Sequence, residues 1–153
     1  MPQFKSTKEF VANELRKLKK LSDINRSLRV VALESQDMVA TRVQQQGQNS
    51  AGAKMRTRSA EAYGAYSEPY GKRRAKRGFQ TAHIDLTFEG SLWSAWRVFP
   101  INNKVIEVTF FGQEIEKAEW LEDMFGEVFS LTDEEEADII ELVNITVEKI
   151  MKS

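Results

Sequence analysis

The sequence predicts an α+β fold: N-terminal helices, a small antiparallel sheet, a C-terminal helix packed on one face, and a long extended basic loop joining the first helices to the sheet. Three observations predict it. Apolar residues recur at spacings of three and four up to about residue 46 and again after residue 113. A stretch around Ile84 alternates apolar and polar residues, and between these regions about 34 residues carry no period at all. With 153 residues, 41% of them hydrophobic, the chain can bury one core without a staple. A single domain over residues 1–153 is therefore expected, divided into a helical region at 5–46, the loop at 47–80 and a strand-helix-strand-helix-helix core at 81–153.

In chain order, Phe4, Val11, Leu15, Leu18 and Leu21 mark a first helix from Lys5 to Leu21, with Ser6 or Thr7 as cap and Glu9 near the capping-box position. Ile24, Leu28, Val31, Ser35 and Met38 mark a second from Asp23, its expected N-cap, to about Gln46. Two residues between them allow either a kinked helix or a helical hairpin, and the hairpin is preferred. The loop at 47–80 holds five glycines, Tyr63, Tyr66, Tyr70 and the cluster Lys72, Arg73, Arg74, Lys76, Arg77. Ile84, Leu86 and Phe88 then predict a strand over Ala82–Phe88. After a turn at Glu89-Gly90-Ser91, Leu92, Trp93, Ala95 and Trp96 predict a helical turn with both tryptophans on one packed face. Pro100 to Asn103 form a turn, and Lys104–Phe111 is a strand pairing with Ala82–Phe88, with a third strand available from the loop. Gln113–Asp123 is an acidic helix with Ile115, Ala118, Trp120 and Leu121 inward, ended by Gly126. Thr132 and Glu135 form a capping box for a helix to Met151, whose inward side carries Ile139, Ile140, Val143, Val147, Ile150 and Met151.

Charge divides the chain in two. Residues 1–80 hold seventeen Lys and Arg against seven Asp and Glu, whereas residues 81–153 hold five against sixteen. If the fold keeps this division on separate faces, a subunit is complementary to its own copy and head-to-tail association follows; if it interleaves them, the charges only solvate the surface. The basic, tyrosine-bearing loop suits either an acidic protein surface or nucleic acid, with cations on phosphates and tyrosines on bases, while a solvated disordered loop is the plain alternative. The acidic half of the chain favours a protein partner.

Chemistry has little support in these residues. The chain has no cysteine, which excludes disulfides and thiolate sites. The start lacks an apolar signal core and no run is long enough to span a membrane, so a soluble cytoplasmic product is expected. The carboxylates from Asp133 to Glu136 and Asp138 read as a dipole-favoured helix start, with no oxygen-ligand loop to hold a cation. The single histidine, His83, shares a strand face with Asp85 but has no nucleophile beside it. No phosphate-binding glycine loop, GxSxG or HExxH occurs. The expectation is no catalytic residue, no cofactor and no metal.

The series His83-Ile84-Asp85-Leu86-Thr87-Phe88-Glu89-Gly90-Ser91-Leu92 resembles the strand and "LTLTGDL" turn of tailed-phage virion-morphogenesis proteins, also called tail-completion or neck (head-tail joining) proteins. Ser91 stands where that family commonly has Asp. The later parts follow in the family's order: Val105 to Phe111, the alanine-bearing helix, and Phe129-Ser130-Leu131-Thr132-Asp133-Glu134-Glu135 opening the last helix. The segment Gly47-Gln48-Asn49-Ser50-Ala51-Gly52 after a long helix also fits, so the similarity spans most of residues 25–152. The resemblance implies a non-enzymatic virion protein of the phage neck or tail. It would form a ring of its own copies, hexameric in expectation, against connector and tail proteins, with DNA passing through without sequence-specific contact and no membrane involved. Leu86, Gly90, Leu92, Trp93, Trp96, Phe129, Leu131, Thr132 and Glu135 are its motif positions. Tyr63, Tyr66, Tyr70, Lys72, Arg73, Arg74, Lys76 and Arg77 are the expected interface residues, and a small nucleic-acid-binding protein is the alternative.

Overall fold

A computed structural model describes residues 7–87, 89–102 and 105–152, without the side chains of residues 7–11. The expected cap at Ser6 or Thr7 with Glu9, and the apolar contacts of Phe4 and Val11, lie outside the described side chains, as do Phe88 and Lys104.

The fold is α+β, with the N-terminal helix packed along the C-terminal one. The preferred hairpin at Ser22-Asp23 does not form. One helix, α1, runs from Thr7 to Thr41 and continues as a π-helical turn, Arg42–Gln46. No Gly or Pro interrupts it, and the row Leu18, Leu21, Asn25, Leu28, Ala32, Ser35, Val39 keeps one face continuous across Asp23. Asp23 is thus a mid-helix residue. Gly47 ends the helix with φ 63°, and a Cβ there would stand 2.7 Å from the Cβ of His83.

The segment expected to be an extended loop is folded. Strands β1 (Ala62–Tyr63) and β2 (Tyr66–Ser67) form a small antiparallel hairpin, followed by helix α2 (Glu68–Lys76) with Pro69 in its first turn. Gly71 lets α2 lie on the hairpin, since a Cβ would meet Tyr63 at 2.6 Å. The segment lacks apolar periodicity because α2 is anchored by a buried arginine, Arg74, and not by an apolar stripe.

Residues 82–87 form no strand; Leu86 takes a left-handed φ of 55°, which interrupts any ladder there. The larger sheet pairs β3 (Trp96–Pro100) with β4 (Ile106–Phe110), antiparallel, with Trp96 opposite Phe110 and Val98 opposite Val108. The loop strands pair only with each other and add nothing to this sheet. Helix α3 is the short turn Ser91–Ser94, so Trp93 ends on a helix and Trp96 opens a strand. The reason is hydrogen bonding: Trp96 exchanges bonds with Gln36 of α1, its Nε1 donating to the Gln36 carbonyl at 3.0 Å while Gln36 Nε2 donates back to its carbonyl at 2.6 Å.

Helix α4 (Glu114–Phe125) buries Ala118 and Leu121 but leaves the expected inward residues Ile115 and Trp120 exposed. Helix α5 (Asp133–Lys152) has its capping box: Glu135 N donates to Thr132 Oγ1 at 3.1 Å and Thr132 N to Glu135 Oε2 at 3.0 Å. It packs along α1 and half-buries Ile139, Val143, Val147 and Ile150, while Ile140 and Met151 stay exposed. Packing on one helix covers a narrower stripe than packing on a sheet would.

Two apolar clusters make the core. One gathers Val39, Leu92, Ala95, Trp96, Phe110, Ala118 and Leu121; the other gathers Val43, Met55, Ala65, Tyr66, Ile84 and Val128. Leu86, Trp93, Phe125 and Phe129 touch both and join them. Phe129 sits edge-on to Phe110 with ring centres 4.6 Å apart and 5.8 Å from Trp96.

Candidate functional site

Two arginines are buried, each surrounded by acceptors. Arg74 projects from α2 between the hairpin and the 80–87 segment and is 1% exposed. Its Nη2 donates to both carboxylate oxygens of Asp85, at 3.1 and 3.0 Å, its Nε to the Gln80 carbonyl at 3.1 Å, and its Nη1 to the Thr87 carbonyl. Asp85 also accepts from Tyr66 Oη at 3.2 Å, Gln80 Nε2 at 2.8 Å and Thr87 N at 2.9 Å. The guanidinium lies 4.5 Å from the Tyr66 ring centre and 5.2 Å from that of Phe79. A satisfied, desolvated pair of this kind holds backbone in place. It fixes the irregular segment that follows Gln80.

Burial, above all, raises the Tyr66 phenol above its usual value near 10, and its bond to the Asp85 carboxylate adds to the rise. A folded value above the unfolded one contributes stability that is whole below pH 10 and is lost as pH rises beyond it. Denaturant midpoints measured from pH 8 to pH 11 should therefore fall above about pH 10. Tyr66→Phe should start lower, for lack of the Asp85 bond, and fall less steeply.

Arg42, in the π turn, is the second node. It donates to Glu135 Oε2, to the carbonyls of Val128 and Ser130, and more weakly to that of Gln48 at 3.4 Å. Burial lowers its pKa, and Glu135 partly offsets this. Asn49 and Ser50 complete the junction: Asn49 Nδ2 donates to the Phe125 carbonyl at 3.0 Å and Ser50 N to that of Glu127 at 2.8 Å. The Gly47–Gly52 segment is thereby stitched to the link between α4 and α5.

The expected interface residues divide. Tyr66 and Arg74 belong to the interior, so Arg74 does not reach a neighbour. Tyr70 is half-buried, edge-on to Tyr66 at 5.3 Å. Tyr63, Lys72, Arg73, Lys76 and Arg77 are exposed, and Lys72 pairs with Glu68, which raises its pKa and lowers that of Glu68. The motif positions come together instead: Leu92, Trp93, Trp96, Phe129 and Leu131 meet in the first cluster, Leu86 bridges the two, and Thr132 and Glu135 form the cap beside Arg42. Gly90 opens α3 with φ 79°.

His83 and Asp85 do not meet as a catalytic pair. The Asp85 carboxylate faces Arg74, and His83 Nε2 lies 2.7 Å from the Gln44 carbonyl, an acceptor that requires this nitrogen to carry the proton. The roles of Arg42, Gln80 and Asp85 escaped the sequence reading. A charged residue flanked by apolar ones, as Asp85 is between Ile84 and Leu86, is the signal that marks Asp85; Arg42 and Gln80 carry no such mark.

A cleft of about 590 Å³ lies between α2 and α4, lined by Tyr66, Tyr70, Leu86, Trp120, Met124 and Phe125 among others. Among the described residues no group of three His, Asp or Glu could hold a metal ion, and no helix is long and apolar enough to cross a membrane.

Fold and site thus define an α+β protein ordered by two buried arginine nodes and carrying strongly charged outer faces. No protein family, curated protein or solved structure matches the chain.

Proposed function

We propose that this chain is a structural subunit that assembles with its own copies, a ring-forming protein of the neck or tail of a tailed-phage particle, positioned between connector and tail tube around the DNA channel. The observation that carries this reading is the distribution of charge along the α1/α5 pair. The helices are antiparallel, because Arg42, in the π turn that follows α1, pairs with Glu135 at the start of α5, while Lys20 reaches the Met151 carbonyl at 3.3 Å. One end of the pair therefore exposes Glu34, Asp37, Asp133, Glu134, Glu136 and Asp138, and the other Arg16, Lys17, Lys19, Lys149 and Lys152, the last paired with the exposed Glu148 at 2.6 Å. A body about 50 Å long with opposite charge at its ends favours head-to-tail stacking over solitary solvation. The order of motifs that resembles the virion-morphogenesis proteins gives this self-association its setting.

Electron microscopy of lysates tests it. Deleting the reading frame from the phage that carries it should leave packaged heads beside separate tails, and normal joined particles would overturn the proposal. The nucleic-acid reading rests on the exposed cations of α2. Changing Lys72, Arg73, Lys76 and Arg77 to Ser should leave the fold intact, since none of these side chains is buried. If wild-type chain shifts DNA in a gel with steep salt dependence and this variant does not, the nucleic-acid reading gains over the structural one.

A further inference from the structure

Among the described residues, those of α1 before Lys20 leave their apolar face uncovered. Met151, in the last described turn of α5, lies level with Lys20, so residues 7–19 of α1 lie beyond the described part of α5 by about 20 Å at 1.5 Å per residue. The row Leu18, Leu21, Asn25, Leu28, Ala32, Ser35, Val39 alternates spacings of three and four along the whole helix. Its lower members are buried or half-buried, whereas Leu18 is 60% exposed, Leu21 57%, and neighbouring Leu15 61%. The apolar row runs on past the described part of the helix that covers it.

The chemistry flanking those leucines decides what can cover them. Arg16, Lys17, Lys19 and Lys20 border the row, with Glu14 held by Lys17 at 3.0 Å. Two such arms laid side by side would set like charges together, which disfavours arm-to-arm pairing. Helix α4 carries the complement. Glu116, Glu119 and Asp123 form an outward stripe at spacings of three and four, bordered by Trp120, 59% exposed, and by Ile115, 45% exposed. Exposed Trp is the residue type most often found as an interface anchor.

We infer that the N-terminal arm of α1 docks on the outward face of α4 in a second copy of the chain, with its leucines on Trp120 and its cations on the Glu116, Glu119, Asp123 stripe. This rests on the self-assembly reading above, and it seats the basic end of the α1/α5 pair on the α4 stripe of the next copy in place of the acidic end of that copy's α1/α5 pair. Arm and α4 are different surfaces of one chain, so the contact is heterologous and repeats until rotation closes it.

Charge reversal in the full chain tests the contact. Arg16→Glu, Lys17→Glu and Lys19→Glu together make one variant; Glu116→Lys, Glu119→Lys and Asp123→Lys make the other. All six positions are exposed, and circular dichroism checks that both variants stay folded. By sedimentation velocity in low salt, wild type should associate and each variant alone should lose the assembled species. An equimolar mixture should regain it, because each reversed surface then meets its complement. A monomeric wild type overturns the contact and the self-assembly reading together. Variants that associate as wild type does overturn the contact alone, as does a mixture that stays monomeric, and association that requires added DNA would place nucleic acid on the arm instead.

Discussion

Replacing Arg74 by Met should destabilise the fold by about 3–5 kcal/mol, because it leaves the Asp85 carboxylate in the interior without its cation. Asp85 would keep its bonds from Tyr66, Gln80 and Thr87. Three neutral donors do not replace a guanidinium that lies against both oxygens, and two carbonyls, of Gln80 and Thr87, lose their donor as well. For a chain of this length the melting temperature should fall by on the order of 10 °C. Adding Asp85→Leu to Arg74→Met should recover much of the loss, since an apolar pair carries no unpaired charge. A double-mutant cycle on thermal melts reads this coupling directly, and additive losses from the two single changes would show that the pair does not act as a unit.

Arg42→Ala should cost a similar amount, about 3–5 kcal/mol, but with a different spatial signature. Arg42 ties three segments to one side chain: the Gln48 turn, the Val128–Ser130 link and the start of α5 through Glu135. Its loss should loosen α5 from its N-terminal end, where the capping box shares the same Glu135 oxygen. Amide hydrogen exchange should show lost protection from residue 128 into the first turns of α5, while the β3–β4 pair stays protected. Uniform loss across the chain would instead mean that the junction opens only with global unfolding.

What could be read from the chain alone follows the range over which each signal acts. The α+β class was legible, as were the β4 strand, the α4 helix and the capping box of α5, because each rests on periodicity or on residues three positions apart. The Thr132 and Glu135 bonds stand as their spacing requires. The hairpin preferred at Ser22-Asp23 misread a polar pair as a break, although no residue there stops a helix. The strand expected at Ala82–Phe88 misread a true alternation: Ile84 is buried and Asp85 faces Arg74, but backbone bonds run to Tyr66 and Gln80 side chains and not to a neighbouring strand. The basic cluster at 72–77 is uniform along the chain, yet a helix turns Arg74 inward while Lys72, Arg73, Lys76 and Arg77 face out.

By itself the sequence determined the local pieces and the division of charge between the halves of the chain, since composition, spacing and caps act over a few residues. Only the tertiary structure decided which charges become interior. Arg42 meets Glu135 across 93 residues of chain and Arg74 meets Asp85 across 11, pairings that no local spacing encodes. It also decided which members of the apolar row of α1 are buried and which are exposed, because that depends on which of them the described part of α5 packs against. Desolvation is the physical reason: whether an arginine or a leucine is satisfied depends on what excludes water from it, and that is a property of packed elements, not of neighbours along the chain.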